Sequence, residues 1–266
     1  MAKREATIVL LTDFGNKDGY SGIMKGVIRA LHPRASIIDL SHEIEPQNVR
    51  EAAFVLWQSY KYFPKGSIFV VVVDPGVGTK RKIVCLKSRE YLFLAPDNGV
   101  LNYLLTERRS FSAVEVVNEQ LFLKNVSTTF HGRDIFAPVA AALANGLNLR
   151  KLGPPLRVGS TQKPFIELDL SKSADYVGSV IYIDRFGNVI TNFRMSRNIR
   201  KEGRITLRIQ KTTVTRLKIS FAETPDGKPF CYADSSGLLS VAISKGNAAA
   251  SFGARIGSAV RLKVSR

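Results

Sequence analysis

The chain has 266 residues, and 45% of them are hydrophobic, which is enough for one large domain or two smaller ones with a real core. It contains no apolar run of about 18 residues and no signal-peptide core near its N-terminus, so we expect no membrane span and a cytoplasmic location. The two cysteines, Cys85 and Cys231, lie in separate strand-like segments. Their placement disfavours a disulfide framework and a metal site, and we expect no metal.

The charge of the chain is its unusual property: 39 Lys and Arg against 22 Asp and Glu leave a formal net charge of +17. Such an excess suggests a nucleic-acid-binding protein. The basic residues are dispersed, however, and form only short clusters such as Lys80-Arg81-Lys82. Because no basic helix, RNA-binding signature or zinc-finger spacing accompanies them, we expect a basic surface and keep nucleic-acid binding as the less favoured alternative.

Residues 1–152 have the pattern of an α/β domain with a mostly parallel sheet. Short apolar strands are predicted at 8–11, 37–40 and 68–73, and helices at 20–31 and 49–62 separate them. This β-α-β-α-β order is typical of parallel strands joined by right-handed crossovers. The pattern also predicts strands at 83–86, 91–95 and 114–117, a short helix at 100–105 and a helix at 135–144.

The composition and the pattern of predicted elements change after residue 152. Residues 153–174 are rich in Pro, Ser and Lys and are predicted to form a linker. Residues 175–266 are predicted to form a smaller all-β domain, a barrel or a sandwich, because short strand patterns alternate there with turn signals. The predicted strands are 177–184, 189–193, 204–209, 214–221, 229–232, 238–243 and 259–264.

Polar side chains stand where predicted strands of the α/β domain end. Asp13 follows the first strand, Asp74 follows the third, and His131 precedes a helix. Ligands of open α/β sheets bind beyond the carboxyl ends of the strands, so these residues are candidates for a site. Arg81 follows Asp74 across a glycine loop and could face it; the alternative is an Asp that caps a turn and a solvated Arg. Neither G-x-G-x-x-G nor a P-loop is present, which disfavours a dinucleotide cofactor.

Several motifs occur together in one order along nearly the whole chain. They are Thr12-Asp13-Phe14-Gly15, Asp74-Pro75-Gly76-Val77-Gly78-Thr79, Ala95-Pro96-Asp97-Asn98-Gly99, Phe130-His131-Gly132-Arg133-Asp134, Asp184-Arg185-Phe186-Gly187-Asn188-Val189 with Thr191-Asn192, and Ser235-Ser236-Gly237. The set resembles the S-adenosyl-L-methionine hydroxide adenosyltransferases. Members of that family hydrolyse S-adenosyl-L-methionine to adenosine and L-methionine, and the fluorinase and chlorinase are their relatives.

The resemblance implies a role for each matching residue. Asp74, Arg81 and His131 would hold and activate the attacking water. The residues that would bind the substrate are Asp13 at the ribose hydroxyls, Asn188 at the adenine edge, Phe186 and Phe221 on the adenine faces, and Asp18, Asp184, Ser235 and Ser236 at the methionine end. The halogenating relatives carry Tyr and Ser at the positions of Asp74 and Gly132, so the resemblance disfavours a halogenase.

The resemblance further implies a homotrimer, no cofactor, and a site between the N-terminal domain of one subunit and the C-terminal domain of the next. Two rival hypotheses stay open, a module that binds S-adenosylmethionine or a nucleoside without turnover, and a nucleic-acid-binding protein. Some of these residues could also have a purely structural role. His131 could be a hydrogen-bonded histidine before a helix, Asp13 a turn former, and Phe186 and Phe221 core aromatics.

Overall fold

The structure is a computed structural model, and it describes residues 6–106, 110–157, 168–169, 174–195 and 204–265. The chain divides into two compact units, Met1–Pro164 and Phe165–Arg266. Most of the predicted linker, residues 158–167 and 170–173, lies outside the described residues. Residues 152–156 run beside the last strand of the first unit, because Glu115 N donates to Pro154 O and Leu156 N donates to Ala113 O.

The first unit is built on a six-stranded mixed sheet. Its strands are β1 (Thr7–Thr12), β2 (Ser36–Ser41), β3 (Ile68–Val72), β4 (Ile83–Lys87), β5 (Leu92–Pro96) and β6 (Ser112–Glu115). They lie in the order β2-β1-β3-β5-β4-β6. The pairs β1–β2, β1–β3 and β3–β5 are parallel, whereas β4 runs antiparallel to both β5 and β6. The predicted mostly parallel sheet is therefore correct for the half that carries the predicted site residues.

Helices complete the first unit. They are α1 (Tyr20–Leu31), α2 (Val49–Ser59), α3 (Asn102–Thr106) and α4 (Ala137–Ala144), and a single π-helical turn, Gly132–Phe136, leads into α4. The central strand β3 is buried at every position, as its β-branched sequence predicts. One core cluster joins β1 and β3 to α1 and α4 through residues such as Leu10, Val70, Ile28 and Val139.

The second unit is all-β apart from short helices. Its strands are β7 (Leu168–Asp169), β8 (Ala174–Ile183), β9 (Val189–Arg194), β10 (Arg204–Ile209), β11 (Thr212–Val214), β12 (Pro229–Ala233), β13 (Leu238–Ile243) and β14 (Ala259–Ser265). Seven of them follow the order β11-β10-β14-β8-β9-β13-β12 with antiparallel neighbours, and β7 pairs in parallel with β9. A bridge between Leu217 and Cys231 links the chain after β11 to β12, so the sheet is a nearly closed barrel.

The structure differs from the predicted elements of this unit in two places. The strand predicted at 214–221 ends at Val214, and a 3₁₀ turn, Phe221–Glu223, follows the single bridge at Leu217. The capping box of Ser220 and Glu223 stabilises that turn and competes with an extended chain. A helix that was not predicted, α5 (Ala248–Phe252), follows the Asn247 cap and ends at Gly253 with φ of 62°.

Both cysteines, Cys85 and Cys231, are free and buried in their respective cores, as predicted. Over the described ranges, no helix is long and apolar enough to cross a membrane.

Candidate active site

The ends of two neighbouring strands place Asp13 and Asp74 beside each other in the first unit. Thr12 is the register partner of Val72, and Asp13 and Asp74 follow just after those positions. Both acids line one cavity of about 400 Å³. The other lining residues are Phe14, Tyr20, Pro46, Gln47, Val72, Pro75, Val77, Thr129, Phe130, His131 and Gly132.

The loop after β3 folds Arg81 back onto Asp74. Val77 N donates to Asp74 O, and Thr79 N donates to Gly76 O, so the chain reverses direction within a few residues. The guanidinium then binds the carboxylate in a fork: Arg81 Nε lies 2.8 Å from Asp74 Oδ2, and Nη2 lies 2.5 Å from the same oxygen. The Arg81 and Asp74 side chains are only 11% and 4% exposed. The alternative of a turn-capping Asp and a solvated Arg is therefore excluded.

Arg81 also joins Asp74 to His131, because its Nη2 lies 2.7 Å from His131 Nδ1. A guanidinium has no lone pair to offer, so Nδ1 must be the acceptor and the ring must carry its proton on Nε2. Burial lowers the pKa of His131 below its ordinary value, and the nearby Arg81 charge lowers it further, against the opposing effects of Asp74 and Asp134. The three predicted catalytic side chains therefore form one connected group with a neutral imidazole.

His131 stands at the start of the π-helical turn Gly132–Phe136. Single π turns often occur at functional sites, where they aim a side chain. Asp134 anchors the turn: it is fully buried and accepts a hydrogen bond from Ser127 N at 2.8 Å. A side chain at Gly132 would crowd its neighbours, since an added Cβ would lie 3.1 Å from Met24 Sδ and 3.2 Å from Phe130 Cε2.

Aromatic rings form one wall of the cavity. Phe14, Tyr20 and Phe130 pack on one another with ring centroids 5.0–5.8 Å apart. Sequence reasoning did not select these residues, although Phe14 and Phe130 each adjoin a predicted site residue. It also missed Gln47, whose backbone N donates to Asp13 Oδ2 at 2.8 Å. Asp18, by contrast, is exposed in the loop before α1 and is not among the residues that line the cavity.

The second unit gathers most of its predicted site residues on adjoining turns. Asp184 Oδ1 accepts from the backbone N of Phe186 and of Asn188, and its Oδ2 accepts from Asn188 Nδ2 at 2.7 Å. These bonds orient the buried Asn188 amide. Phe186 is 76% exposed and Phe221 is 43% exposed, so neither is a core aromatic.

Tyr232 and Asp234 connect the rest of this group and were not predicted. Phe221 packs on Tyr232 with ring centroids 5.3 Å apart. Burial raises the pKa of the Tyr232 hydroxyl, and the charges of Asp184 and Asp234 raise it further, which places both carboxylates near that ring. Asp234 accepts from Ser236 N and Ser236 Oγ, whereas Ser235 is exposed. The Asp234-Ser-Ser-Gly order is a turn signal that could have identified Asp234.

No group of three or more His, Cys, Asp and Glu side chains within the described ranges could hold a metal ion. The lining of the cavity includes two acids, Asp13 and Asp74, and the His131 imidazole.

Comparison with known proteins assigns both units to one family. Residues 8–153 match the SAM hydroxide adenosyltransferase N-terminal domain, and residues 178–261 match the C-terminal domain. The chain belongs to the SAM hydroxide adenosyltransferase family. The resemblance seen in the ordered motifs is thereby confirmed.

Individual relatives cover nearly the whole chain. An (R)-S-adenosyl-L-methionine hydrolase from Thermus thermophilus is 36% identical over 96% of this chain and 98% of its own length. A fluorinase from Nocardia brasiliensis is 28% identical over 98% of each chain. A crystal structure of an uncharacterized conserved protein from Thermotoga maritima has a TM-score of 0.85 at 37% identity and covers 97% of this chain and 100% of that one.

Proposed function

We propose that this protein hydrolyses S-adenosyl-L-methionine to adenosine and L-methionine, by in-line attack of water on the ribose 5′ carbon. The observation that carries the proposal is the group in which Arg81 bridges the buried Asp74 carboxylate and the neutral His131 imidazole beside the cavity. The family supports the same reaction, because relatives at 34–37% identity are (R)-S-adenosyl-L-methionine hydrolases.

The substrate supplies much of the driving force. Its sulfonium is a good neutral leaving group, and attack by a negatively charged oxygen neutralises charge in the transition state, which a dry site favours. The protein must hold a water molecule about 3 Å from the carbon and receive one proton. Bond formation between water oxygen and C5′ breaks the C5′–S bond, gives methionine the electron pair and releases that proton.

Asp74 is the residue that we propose as the proton acceptor. The Nδ1 lone pair of His131 is occupied by Arg81, and its other nitrogen carries the ring proton, so the imidazole has no free lone pair to receive a proton from the water. The Asp74 carboxylate has lone pairs beyond those that Arg81 uses, because two oxygens can accept about four hydrogen bonds. Arg81 stays charged and stabilises negative charge that develops on the water oxygen.

The remaining family positions would hold the substrate. Asp13 in the cavity would bind the ribose hydroxyls, and Asn188 would bind the adenine edge with Phe186 and Phe221 on its faces. Asp184, Ser235 and Ser236 would bind the methionine end, as would Asp18, whose exposed position gives this assignment the least support. We further propose a cytoplasmic homotrimer in which the two sets come from neighbouring subunits, as the family resemblance implies.

Halogenation is disfavoured at this site. The halogenating relatives carry Tyr where this chain has Asp74, and Ser where it has Gly132. The close packing around Gly132 leaves a serine Cβ within 3.1–3.4 Å of three neighbouring side chains. Such distances are shorter than ordinary contacts, so this site fits glycine.

The test is incubation of the purified protein with S-adenosyl-L-methionine, followed by chromatography for adenosine and methionine. We expect both products in equal amounts, and we expect that a chelator does not abolish their release. Asp74→Asn is the matched control, since it keeps the shape of the side chain and removes its charge. Binding without any product would support the non-catalytic module, and product formation that needs an added divalent ion would contradict the proposed water activation.

A further inference from the structure

The β1–α1 loop that carries Asp13 is held by a second loop, which runs from His42 to Asn48 between β2 and α2. Gly15 N donates to His42 O at 2.7 Å, and Asn16 Nδ2 donates to Glu43 Oε1 at 2.6 Å. Gln47 N donates to Asp13 Oδ2, as described above. The position of the Asp13 carboxylate therefore depends on residues about 30 positions away in the chain.

His42 and Thr12 form the buried part of this contact. Thr12 is fully buried, the His42 side chain is 2% exposed, and Thr12 Oγ1 lies 2.8 Å from His42 Nδ1. His42 Nε2 lies 3.1 Å from Asp39 Oδ1, but its N–H is not aligned for a hydrogen bond, so this contact is electrostatic. Asp39 also accepts from Lys25 Nζ at 2.8 Å.

The charges in this network set the direction of its hydrogen bonds. Burial raises the pKa of Asp39, but the Lys25 and His42 contacts outweigh it, so the pKa lies below its ordinary value and the carboxylate is ionised. A carboxylate beside Nε2 favours the ring proton on that nitrogen, which leaves Nδ1 to accept from the Thr12 hydroxyl. The Thr12 oxygen then accepts from Phe14 N at 3.3 Å.

Asp13 is thus fixed from both sides. Thr12 holds the backbone on one side of it through Phe14 N, and Gln47 N holds one carboxylate oxygen on the other. Gln47 has φ of 66°, a left-handed conformation that is costly for a residue other than glycine and is typical of functional sites. Within the described part of the chain, the Asp13 Oδ1 atom has no hydrogen-bond partner, so it can accept from a ligand.

We propose that Thr12 and His42 are positioning residues, which set the Asp13 carboxylate for a vicinal diol such as the ribose 2′- and 3′-hydroxyls. This inference rests on the proposed role of Asp13 in substrate binding. The buried hydroxyl and imidazole touch no ligand themselves. The imidazole orients the Thr12 hydroxyl, which holds Phe14 N, and the backbone carbonyl of His42 holds Gly15 N, so that both residues fix the acid between β1 and α1.

The first experiment compares Thr12→Val, which has the same shape without the hydroxyl, with Thr12→Ser, which keeps the hydroxyl. The probes are adenosine and 2′,3′-dideoxyadenosine, measured by calorimetry, together with kcat and KM for S-adenosyl-L-methionine. We expect Thr12→Val to weaken adenosine binding and raise KM by about 10-fold, the value of one hydrogen bond, with little change in kcat. Thr12→Ser should restore binding.

The ratio of the affinities for adenosine and 2′,3′-dideoxyadenosine distinguishes misplacement of Asp13 from general destabilisation of the fold. A structural defect weakens both nucleosides equally, whereas misplacement of Asp13 weakens only adenosine and brings the ratio towards one. His42→Asn, which keeps an acceptor near the Nδ1 position, should bind adenosine better than His42→Gln, which reaches towards Asp39 instead. If the His42 variants fail to fold, the Thr12 pair decides the question.

Asp13→Asn is the reference variant, because it shows how far the affinity ratio changes when the Asp13 charge itself is removed. If Asp13→Asn lowers the affinity ratio and Thr12→Val leaves it at the wild-type value, the positioning role is wrong while the proposed function survives. If Asp13→Asn itself leaves the ratio unchanged, Asp13 does not bind the diol and both the role and the inference fall. Absence of turnover in the wild-type protein would contradict the proposed function directly.

Discussion

Arg81 is the residue on which the proposed chemistry depends most. Its guanidinium binds Asp74 through Nε and Nη2 and reaches His131 through Nη2, so one planar group fixes two neighbours. An ammonium could meet one of them but could not reproduce the fork. At the scale of single residues, the site is thus built from charge-assisted hydrogen bonds with little freedom to move.

We predict that Arg81→Ala lowers kcat by about 10²–10³, the usual cost of one preorganised group that stabilises developing charge. KM should change much less, because the cationic sulfonium gains nothing from a second cation. Arg81→Lys should recover only part of the rate. Steady-state kinetics with a thermal melt as the folding control checks this. Loss of binding with an intact single-turnover rate would make Arg81 a binding residue.

Because the proposed mechanism needs a neutral His131, kcat/KM should depend on pH. Because burial and Arg81 lower its pKa below the ordinary value of histidine, the imidazole stays neutral until the pH falls below that value. Protonation would then put a proton on Nδ1 and break the bond from Arg81. We predict that the acid limb of kcat/KM lies below the ordinary histidine range.

His131→Asn is the control for that profile, since its amide oxygen can accept from Arg81 without titrating. The variant should be slower but should lack the histidine part of the acid limb. The same lowered pKa means that the unfolded chain binds the proton more readily, so His131 lowers stability as the pH falls through the ordinary histidine value. An acid limb above that value in the wild-type protein would contradict the neutral imidazole.

At the scale of elements, the loop after β3 brings Arg81 against the segment before His131. Gly78 lies at its tip with φ of 77°, and an added Cβ would collide with the carbonyl oxygen of Thr128. Only glycine allows this close approach of two backbone segments. The glycine loop that follows Asp74 therefore serves to place Arg81.

We predict that Gly78→Ala destabilises the protein by about 1–3 kcal/mol and lowers kcat/KM at least 10-fold, since both the strain and the collision act on the catalytic loop. Gly66→Ala is matched in backbone conformation, with φ of 91°, but nothing lies within 4 Å of its added Cβ. That control should lose about 1 kcal/mol and keep wild-type kinetics. Equal kinetics in the two variants would show that the close approach has no role.

The elements could be predicted where the pattern was long and regular. The β-branched run of β3 and the three-to-four spacing of α1 are examples. The prediction of a strand at 214–221 was wrong because the β-branched residues of this segment favour an extended chain, whereas β11 ends at Val214 and the Ser220 capping box stabilises a 3₁₀ turn at the end of the segment. The antiparallel direction of β4 relative to β5 could have been predicted, because the short turn at Ser88 and Tyr91 leaves no room for the crossover that a parallel pair needs.

Sequence motifs could predict the parts of the candidate site that are formed by side chains. The link from Asp74 through Arg81 to His131 followed from the ordered motifs. Gln47 could not be found in this way, because its contribution is a backbone N–H that almost any residue supplies. Tyr232 was missed because its proximity to both Asp184 and Asp234 arises only when the barrel strands pair.

At the scale of the whole molecule, the candidate site residues fall into two sets, one in each unit. If neighbouring subunits of a trimer contribute one set each, two inactive variants should complement one another. We predict that Asp74→Ala mixed with Asn188→Ala after subunit exchange regains about one quarter of wild-type activity, the share of interfaces that pair two intact sets. Exchange followed by no recovery would contradict the shared site.

The central claim is attack of water on the ribose 5′ carbon, and hydrolysis in H₂¹⁸O tests it most directly. Mass spectrometry of the products, with Asp74→Asn as the control, reports where the oxygen goes. We predict one ¹⁸O atom in the 5′-hydroxyl of adenosine and none in methionine. Unlabelled adenosine, or label in the amino acid, would contradict the account.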